Sequence, residues 1–484
     1  MASKNAWTGR FLCWDDALLA EKQGVSVRMH KPQKKNIALA CDSEWEGSHN
    51  GYGSIVRLGD VYRLYYRACP FSLPVEGELS ERSVICVAES ADGIHFTKPS
   101  LHIYSYNGSD ANNIVYDNGG YVDNFSVFYD ENPACPKEER FKALSELMDK
   151  EGRHLCCFYS EDGYHFRRGA DIPVIGTFDS FNVVFWDKET EQYFVYYRSY
   201  HRRSGEEIAD FMTTDLVRDV RDIRLATSKD FRSWEYRGRV CFAEGQGDAP
   251  LYTNQIGKYY REEGTFLGLP VRYTDRVGEK ENFAHMALWD YREKVIARYG
   301  RGGTAITDTL VMTSEDGLCF NRRDESFFNQ GAENRYNWWY GGGYSVYGLV
   351  ETPAEEEGAS PEISLYFGEN YRTKNVDFRR YTLRLDGFFS FRADAAGGFV
   401  LTRPLTLGEG ELYLNFATGG AGGVTVTLLD EEGKPLAGYQ SYEMFGDATH
   451  RPVAFEKPLS ALRGKRVALR FALRDADLYS FCFV

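Results

Sequence analysis

Short apolar runs, many rich in tyrosine, alternate with turn residues over most of the chain, and few are long enough to make a helix. Gly53–Leu58 leads through a turn to Val61–Tyr66 and on to Val84–Ala88, and Phe125–Tyr129 leads to Arg140–Leu144 and His154–Tyr159. Asn182–Trp186, the polar turn Asp187–Glu191 and Tyr193–Tyr197 repeat the plan, as do Asn254–Tyr260 with Thr265–Pro270 and Gly343–Val350 with Glu362–Phe367. Each set reads as antiparallel strands joined by tight turns. They group into five units of about four strands, opening near residues 44, 112, 178, 250 and 337.

A motif, Ser-x-Asp-Gly-x-x-aromatic, punctuates the units. It occurs at Ser90-Ala91-Asp92-Gly93-Ile94-His95-Phe96, at Ser160 to Phe166 and at Ser314 to Phe320, with a variant from Ser228 to Trp234 that lacks the glycine. In such a turn the aspartate accepts hydrogen bonds from following amides, the glycine takes the left-handed conformation and the aromatic returns to the core. Radial repetition of small sheets is how propellers protect their edges. The predicted fold is all-β: a five-bladed β-propeller over residues 41–387, followed by a C-terminal β-sandwich over 388–484. The sandwich is read from the alternating runs Gly410–Phe416, Val424–Leu429 and Val467–Phe471. Residues 1–40 are expected to pack on or close the propeller, through a strand that completes the ring or a short helix around Trp14–Lys22.

Composition sharpens this picture. The chain has 484 residues, with hydrophobic residues at 43% and charged residues at 26%, values of a folded protein with more than one core. Aromatic residues reach 15%, which suits strands and also a cleft where sugar faces pack on flat rings. Lysine plus arginine at 57 against aspartate plus glutamate at 71 leaves −14, a charge that disfavours nucleic acid as a partner. Ten cysteines show no zinc or C-x-x-C spacing and are expected as reduced buried thiols. The start has no apolar signal core, and no later apolar run is long enough to span a membrane, so a cytoplasmic location without membrane partners is expected.

These features resemble the five-bladed propeller glycoside hydrolases of families 32 and 43, and in particular the family 32-like bacterial proteins that carry a C-terminal β-sandwich. Phe178-Asp179-Ser180-x-Asn182 and Arg221-Asp222-Ile223-Arg224 match stretches of that group. The W-M-N-D-P-N-G, E-C and R-D-P motifs of family 32 are absent. The resemblance implies a nucleophile, a transition-state stabiliser and a general acid, one at the opening of each of the first three blades. Transferred by position, the catalytic candidates are Glu46, with Asp42 and Glu44 as neighbours on the same side, Asp123 and Asp179. Cleaving a glycosidic bond needs a proton donor, a carboxylate that attacks or activates water, and negative charge near the oxocarbenium-like transition state.

Trp45, Asn124, Arg198, Asn254, Trp338 and Trp339 are the expected sugar contacts. Strand capping and blade packing are competing uses of Asn254 and the two tryptophans, and Asp222 is expected in an ion pair with a neighbouring arginine. The expected activity is hydrolysis of a terminal glycosidic bond, with furanosides such as a fructoside or arabinoside among the candidates, in a small glycoside or oligosaccharide. A glycoside phosphorylase drawing on the basic cluster Arg198, His201, Arg202 and Arg203 is one alternative. A non-catalytic carbohydrate-binding propeller is the other. No cofactor is expected and no metal ligand is named, although calcium bound through scattered oxygens would leave no spacing signature. The sandwich is expected to pack on the propeller or to mediate homo-oligomerisation.

Overall fold

In a computed structural model, residues 6–70, 82–149, 152–209, 211–215 and 218–484 are described; residues 1–5 of the N-terminal segment lie outside that set. Five antiparallel sheets follow one another along the chain. The first contains Gly51–Leu58, Val61–Ala68, Val84–Ser90 and Ile114–Tyr116, and the second Asp123–Tyr129, Phe141–Asp149, Gly152–Ser160 and Arg167–Asp171. The third contains Val183–Asp187, Gln192–His201, Val220–Ser228 and Glu235–Arg239. The fourth is built on Ile256–Tyr259, Glu262–Gly268, Ala305–Ser314 and Cys319–Phe328, and the fifth on Val350–Thr352, Glu362–Glu369 and Asp377–Arg384.

The fifth blade takes its outer strand, Gln33–Ala40, from the opposite end of the chain: Asp377 pairs with Ala40 and Phe378 with Leu39. This closes the ring of a five-bladed β-propeller. The inner strand of that blade is less regular than its sequence suggests, because Gly343–Leu349 makes only isolated bridges such as Ser345 with Phe367. The fourth blade carries an unanticipated insertion of two helices, Lys280–Ala284 and Trp289–Tyr299.

The repeated turns fasten neighbouring blades. In the second blade Asp162 Oδ1 accepts from the amides of Tyr164 and His165 at 2.8 and 3.0 Å, and Ser160 Oγ accepts from Gly163 N at 2.9 Å. Gly163 has φ +80°, and its carbonyl accepts from the Tyr65 hydroxyl of the first blade at 3.0 Å. Gly317 receives the hydroxyl of Tyr196 in the same way at 2.6 Å, and Gly93 that of Tyr366. Where the variant turn has Phe231 in place of glycine, the contact changes: Arg232 reaches back to the Tyr159 hydroxyl at 2.9 Å.

From Phe389 onward the chain forms, with N-terminal strands, an eleven-stranded sheet around its own core of Leu412, Leu414, Phe416, Val426, Leu469, Phe471 and their neighbours. Gly9–Leu12 pairs with Arg466–Phe483, and Val25–Met29 with Phe389–Ala393. Leu19–Gln23 is a strand paired with Gly398–Thr402, so the helix considered around Trp14–Lys22 does not form. Trp14 instead donates its indole N–H to the carbonyl of Asp386 at 2.9 Å. The expectation of thiols throughout is also corrected. Cys241 and Cys319 form a disulfide, because Cys241–Phe242 runs parallel to the strand opening at Cys319 and pairs the two residues. The other cysteines are free and buried.

Candidate active site

Three carboxylates meet where the second and third blades open. Asp123 begins the first strand of its blade and is paired across the sheet with Glu146. Between them and the next pair, Ser126 with Leu144, the register shifts at Asn124, which holds a left-handed φ of 57°. Such a bulge re-aims a side chain at a strand end. Asp179 follows Phe178, another left-handed residue at φ 46°. Strain of this kind costs about 1–3 kcal/mol and persists where the surroundings over-determine it. Here Asn124 Nδ2 donates to the Phe178 carbonyl at 3.3 Å, and the amides of Thr177 and Phe178 both reach the carbonyl of Arg198 at 3.2 Å.

One oxygen from each of Asp123, Glu146 and Asp179 lies within 4.8 Å of the others. Each carboxylate also has an arginine: Arg67 from the first blade on Asp123, Arg153 on Glu146, and Arg198 on Asp179 at 3.4 Å. Three oxygens so close crowd negative charge that the three arginines only partly offset. Burial, reinforced by the negative charge of Asp179 and opposed by Arg153, pushes the Glu146 carboxyl up to about 8. Burial also raises Asp123, with Arg67 working against it and Asp179 adding to it. Glu146 therefore holds its proton at neutral pH and can donate it. Asp179, with 39% of its side chain exposed against 7% for Glu146, is the carboxylate best placed to approach a substrate.

A wall of tyrosines from the first, fourth and fifth blades stands beside this cluster. Tyr344 lies 5.7 Å from Tyr52, 5.8 Å from Tyr252 and 6.0 Å from Tyr371, ring centre to ring centre. The hydroxyls of Tyr52 and Tyr252 are 3.4 Å apart. The Arg67 guanidinium stacks 4.8 Å over Tyr52, and that of Arg198 5.3 Å over Tyr252. The surroundings offer flat faces and polar tips, the mixture a sugar ring packs against.

Of the three carboxylates anticipated from sequence, Asp123 and Asp179 come together and Glu46 does not. Residues 43–46 turn back on themselves, the Glu46 amide bonding to the Ser43 carbonyl, so the segment is not extended. Glu46 is buried and accepts from Lys98 at 2.6 Å, Tyr66 at 2.5 Å and the Ser43 amide at 2.7 Å. Asp42 shares the same lysine, and Glu44 is exposed and bonded to Asn107. Glu146 takes the third place. It lies in the middle of an ordinary strand, and only its position opposite Asp123 in the hairpin could have marked it.

The expected sugar contacts also divide. Arg198 lies at the carboxylates, and Asn124 ties the second blade to the third, with its buried Oδ1 left without a partner. Trp45 packs beside Tyr106 and donates to Asn113 at 3.0 Å. Asn254 is buried and caps its own strand, accepting from the Ile256 amide at 3.2 Å. Trp339 is buried beneath the Arg292 guanidinium at 3.9 Å, and half-buried Trp338 donates to the Gly331 carbonyl. These four serve packing and capping.

The basic cluster disperses in the same way. His201 is held between Asp222 at 3.0 Å and Asp248, Arg202 pairs with Asp219, and Arg203 bonds the Arg218 carbonyl. Asp222 also meets Arg224 at 3.4 Å, as an ion-pair role requires. Burial would lower the His201 pKa, but hydrogen bonds to Asp222 and Asp248 raise it to about 9.

No known protein family's sequence profile matches this chain, and no curated protein matches it. Similar solved structures include a glycoside hydrolase at 11% identity, covering 73% of this chain and 92% of its own, with a TM-score of 0.44. A member of the GH130 family of mannoside phosphorylases, which contains glycoside hydrolases that target β-1,2-mannosidic linkages in Candida mannan, is 12% identical over 73% and 94% at 0.43. A Bombyx mori GH32 β-fructofuranosidase is 10% identical and covers 94% of both chains at 0.40.

Proposed function

We propose that the pocket at Asp123, Glu146 and Asp179 binds a terminal sugar and cleaves its glycosidic bond by carboxylate chemistry. The observation that carries this reading is the meeting of three carboxylates, one oxygen of each within 4.8 Å of the others, with the most buried of them, Glu146, pushed up to about 8 by burial and its acidic neighbours. In this reading Glu146 protonates the leaving oxygen and Asp179 attacks the anomeric carbon. Asp123, fixed by Arg67, lends negative charge to the oxocarbenium-like transition state. In a retaining route of this kind, water activated by the deprotonated Glu146 would then release the sugar from Asp179. The tyrosine wall supplies the face on which the sugar stacks.

The test is a screen of aryl glycosides and oligosaccharides with the purified protein and its Glu146→Gln and Asp179→Asn variants, the product anomer being followed by NMR. Turnover that collapses in both variants supports the reading. A panel that shows no turnover, or turnover indifferent to both substitutions, overturns it.

A further inference from the structure

One cation beside this pocket has nothing to balance it. Arg221 is 5% exposed, its Nε is buried without a hydrogen-bond partner, and it meets no carboxylate among the described residues. The acid next to it in sequence, Asp222, points to the opposite face of the strand, where His201 and Arg224 hold it. What Arg221 does touch is aromatic: its guanidinium lies 4.1 Å from the Tyr273 ring centre, 5.5 Å from Tyr200 and 5.8 Å from Tyr252.

Arg198 shares two of those rings, Tyr200 at 4.7 Å and Tyr252 at 5.3 Å, and its Nε and Nη1 are likewise buried without partners. Its one anionic contact is the long 3.4 Å approach to Asp179. Taking a guanidinium out of water costs more than stacking on tyrosine returns, and a folded protein ordinarily meets that cost with an acid. At this place, among the described residues, Arg221 has aromatic walls and no carboxylate, and Arg198 has only the distant edge of Asp179. Guanidinium donors in a fixed fork are suited to the oxygens of a carboxylate or a phosphate.

We propose that Arg221 and Arg198 form an oxyanion subsite that holds a carboxylate or phosphate group carried by the sugar in the pocket, so that the substrates are acidic glycosides. The inference rests on the carbohydrate reading above and narrows it. Arg198 places the charged group next to Asp179, while Tyr252, stacked against both arginines, gives the sugar ring its face. Free inorganic phosphate presents the same oxygens, so the experiment separates the two sources.

Binding of D-glucuronate, D-galacturonate, glucose 6-phosphate, the matching neutral hexoses and inorganic phosphate is measured by calorimetry on the full chain. The proteins compared are the wild type, Arg221→Met, Arg221→Lys and the Asp179→Asn variant. At least one sugar acid or sugar phosphate is expected to bind tenfold or more tightly than its neutral hexose and than phosphate. The preference is lost in Arg221→Met, partly kept in Arg221→Lys and retained in Asp179→Asn. Because Arg221→Met removes an unpaired buried charge, its melting temperature should equal or exceed that of the wild type.

Equal binding of charged and neutral sugars, a preference unchanged in Arg221→Met, or no anion binding at all overturns the subsite. Phosphate binding tighter than every charged sugar overturns the sugar-borne version and makes the anion a separate co-substrate. Retained anion preference in a protein that cleaves nothing in the activity screen would leave this subsite standing while the catalytic reading falls.

Discussion

The environment of Glu146 and that of Glu46 make opposite predictions for the same substitution. Glu146 sits among acids and keeps its proton, so Glu146→Gln should lower turnover by about 10²–10⁴-fold with little change in stability. Wild-type activity should hold on the acid side of the profile and fall as pH rises through about 8, the value to which burial and Asp179 push this carboxyl. The test is a pH profile on an activated aryl glycoside. Glu46 instead neutralises Lys98, of which 17% of the side chain is exposed. Glu46→Gln should leave turnover within a few-fold of wild type and cost about 2 kcal/mol in urea unfolding, because a mostly buried ammonium keeps only the exposed Asp42 as an anionic partner. At this scale Asp123 and Asp179 were legible, since acids at the openings of blades stand out in a repeating chain. Glu146 was not, because Phe141–Asp149 reads as plain strand until the pairing with Asp123 is known.

The strands and turns were the most legible layer, because the Ser-x-Asp-Gly chemistry admits few conformations. What the repeat does between blades was hidden, since the tyrosine that completes each fastening belongs to another hairpin far off in sequence. A Cβ at Gly163 would stand 2.6 Å from the Tyr65 hydroxyl and 2.8 Å from the Phe141 ring, at a φ that L-residues resist. Gly163→Ala should therefore destabilise far more than Tyr65→Phe, which removes one hydrogen bond and should cost about 1 kcal/mol in denaturant titration. The blade 4 helices escaped the reading because Lys280–Ala284 and Trp289–Tyr299 are short and interleave their apolar residues with charged ones, without the long apolar stripe of a core helix. The Glu44–Glu46 turn escaped it for another reason: local hydrogen bonds overrode the alternation on which an extended segment was inferred.

On the scale of the whole molecule the two β units are joined through a buried acid. Asp386 accepts from Arg10 at 2.8 Å, Arg261 at 2.8 Å, Tyr259 at 2.7 Å and Ser480 at 2.6 Å, gathering the N-terminal segment, the fourth blade and the C-terminal strands onto one carboxylate. Burial would raise its pKa, but Arg10 and Arg261 prevail and hold it below the usual range. The stability it contributes is thus complete above the pKa of an unfolded aspartate, about 4, and is lost as pH falls below it. Asp386→Ala should cost about 3 kcal/mol by taking from Arg10 and Arg261 the buried carboxylate they share, and should lower the melting of both units together in calorimetry. The propeller outline was legible because its period is carried by turns, whereas this junction was not, since its partners come from three distant stretches. The strand Gln33–Ala40 has a consequence in time as well as in space. It leaves the ribosome long before its pairing edge, Asp377–Arg384, is made. A nascent chain must therefore carry that strand unpaired while the intervening blades are synthesised, an interval of tens of seconds at about 5–20 residues per second, during which a holding chaperone would find its target.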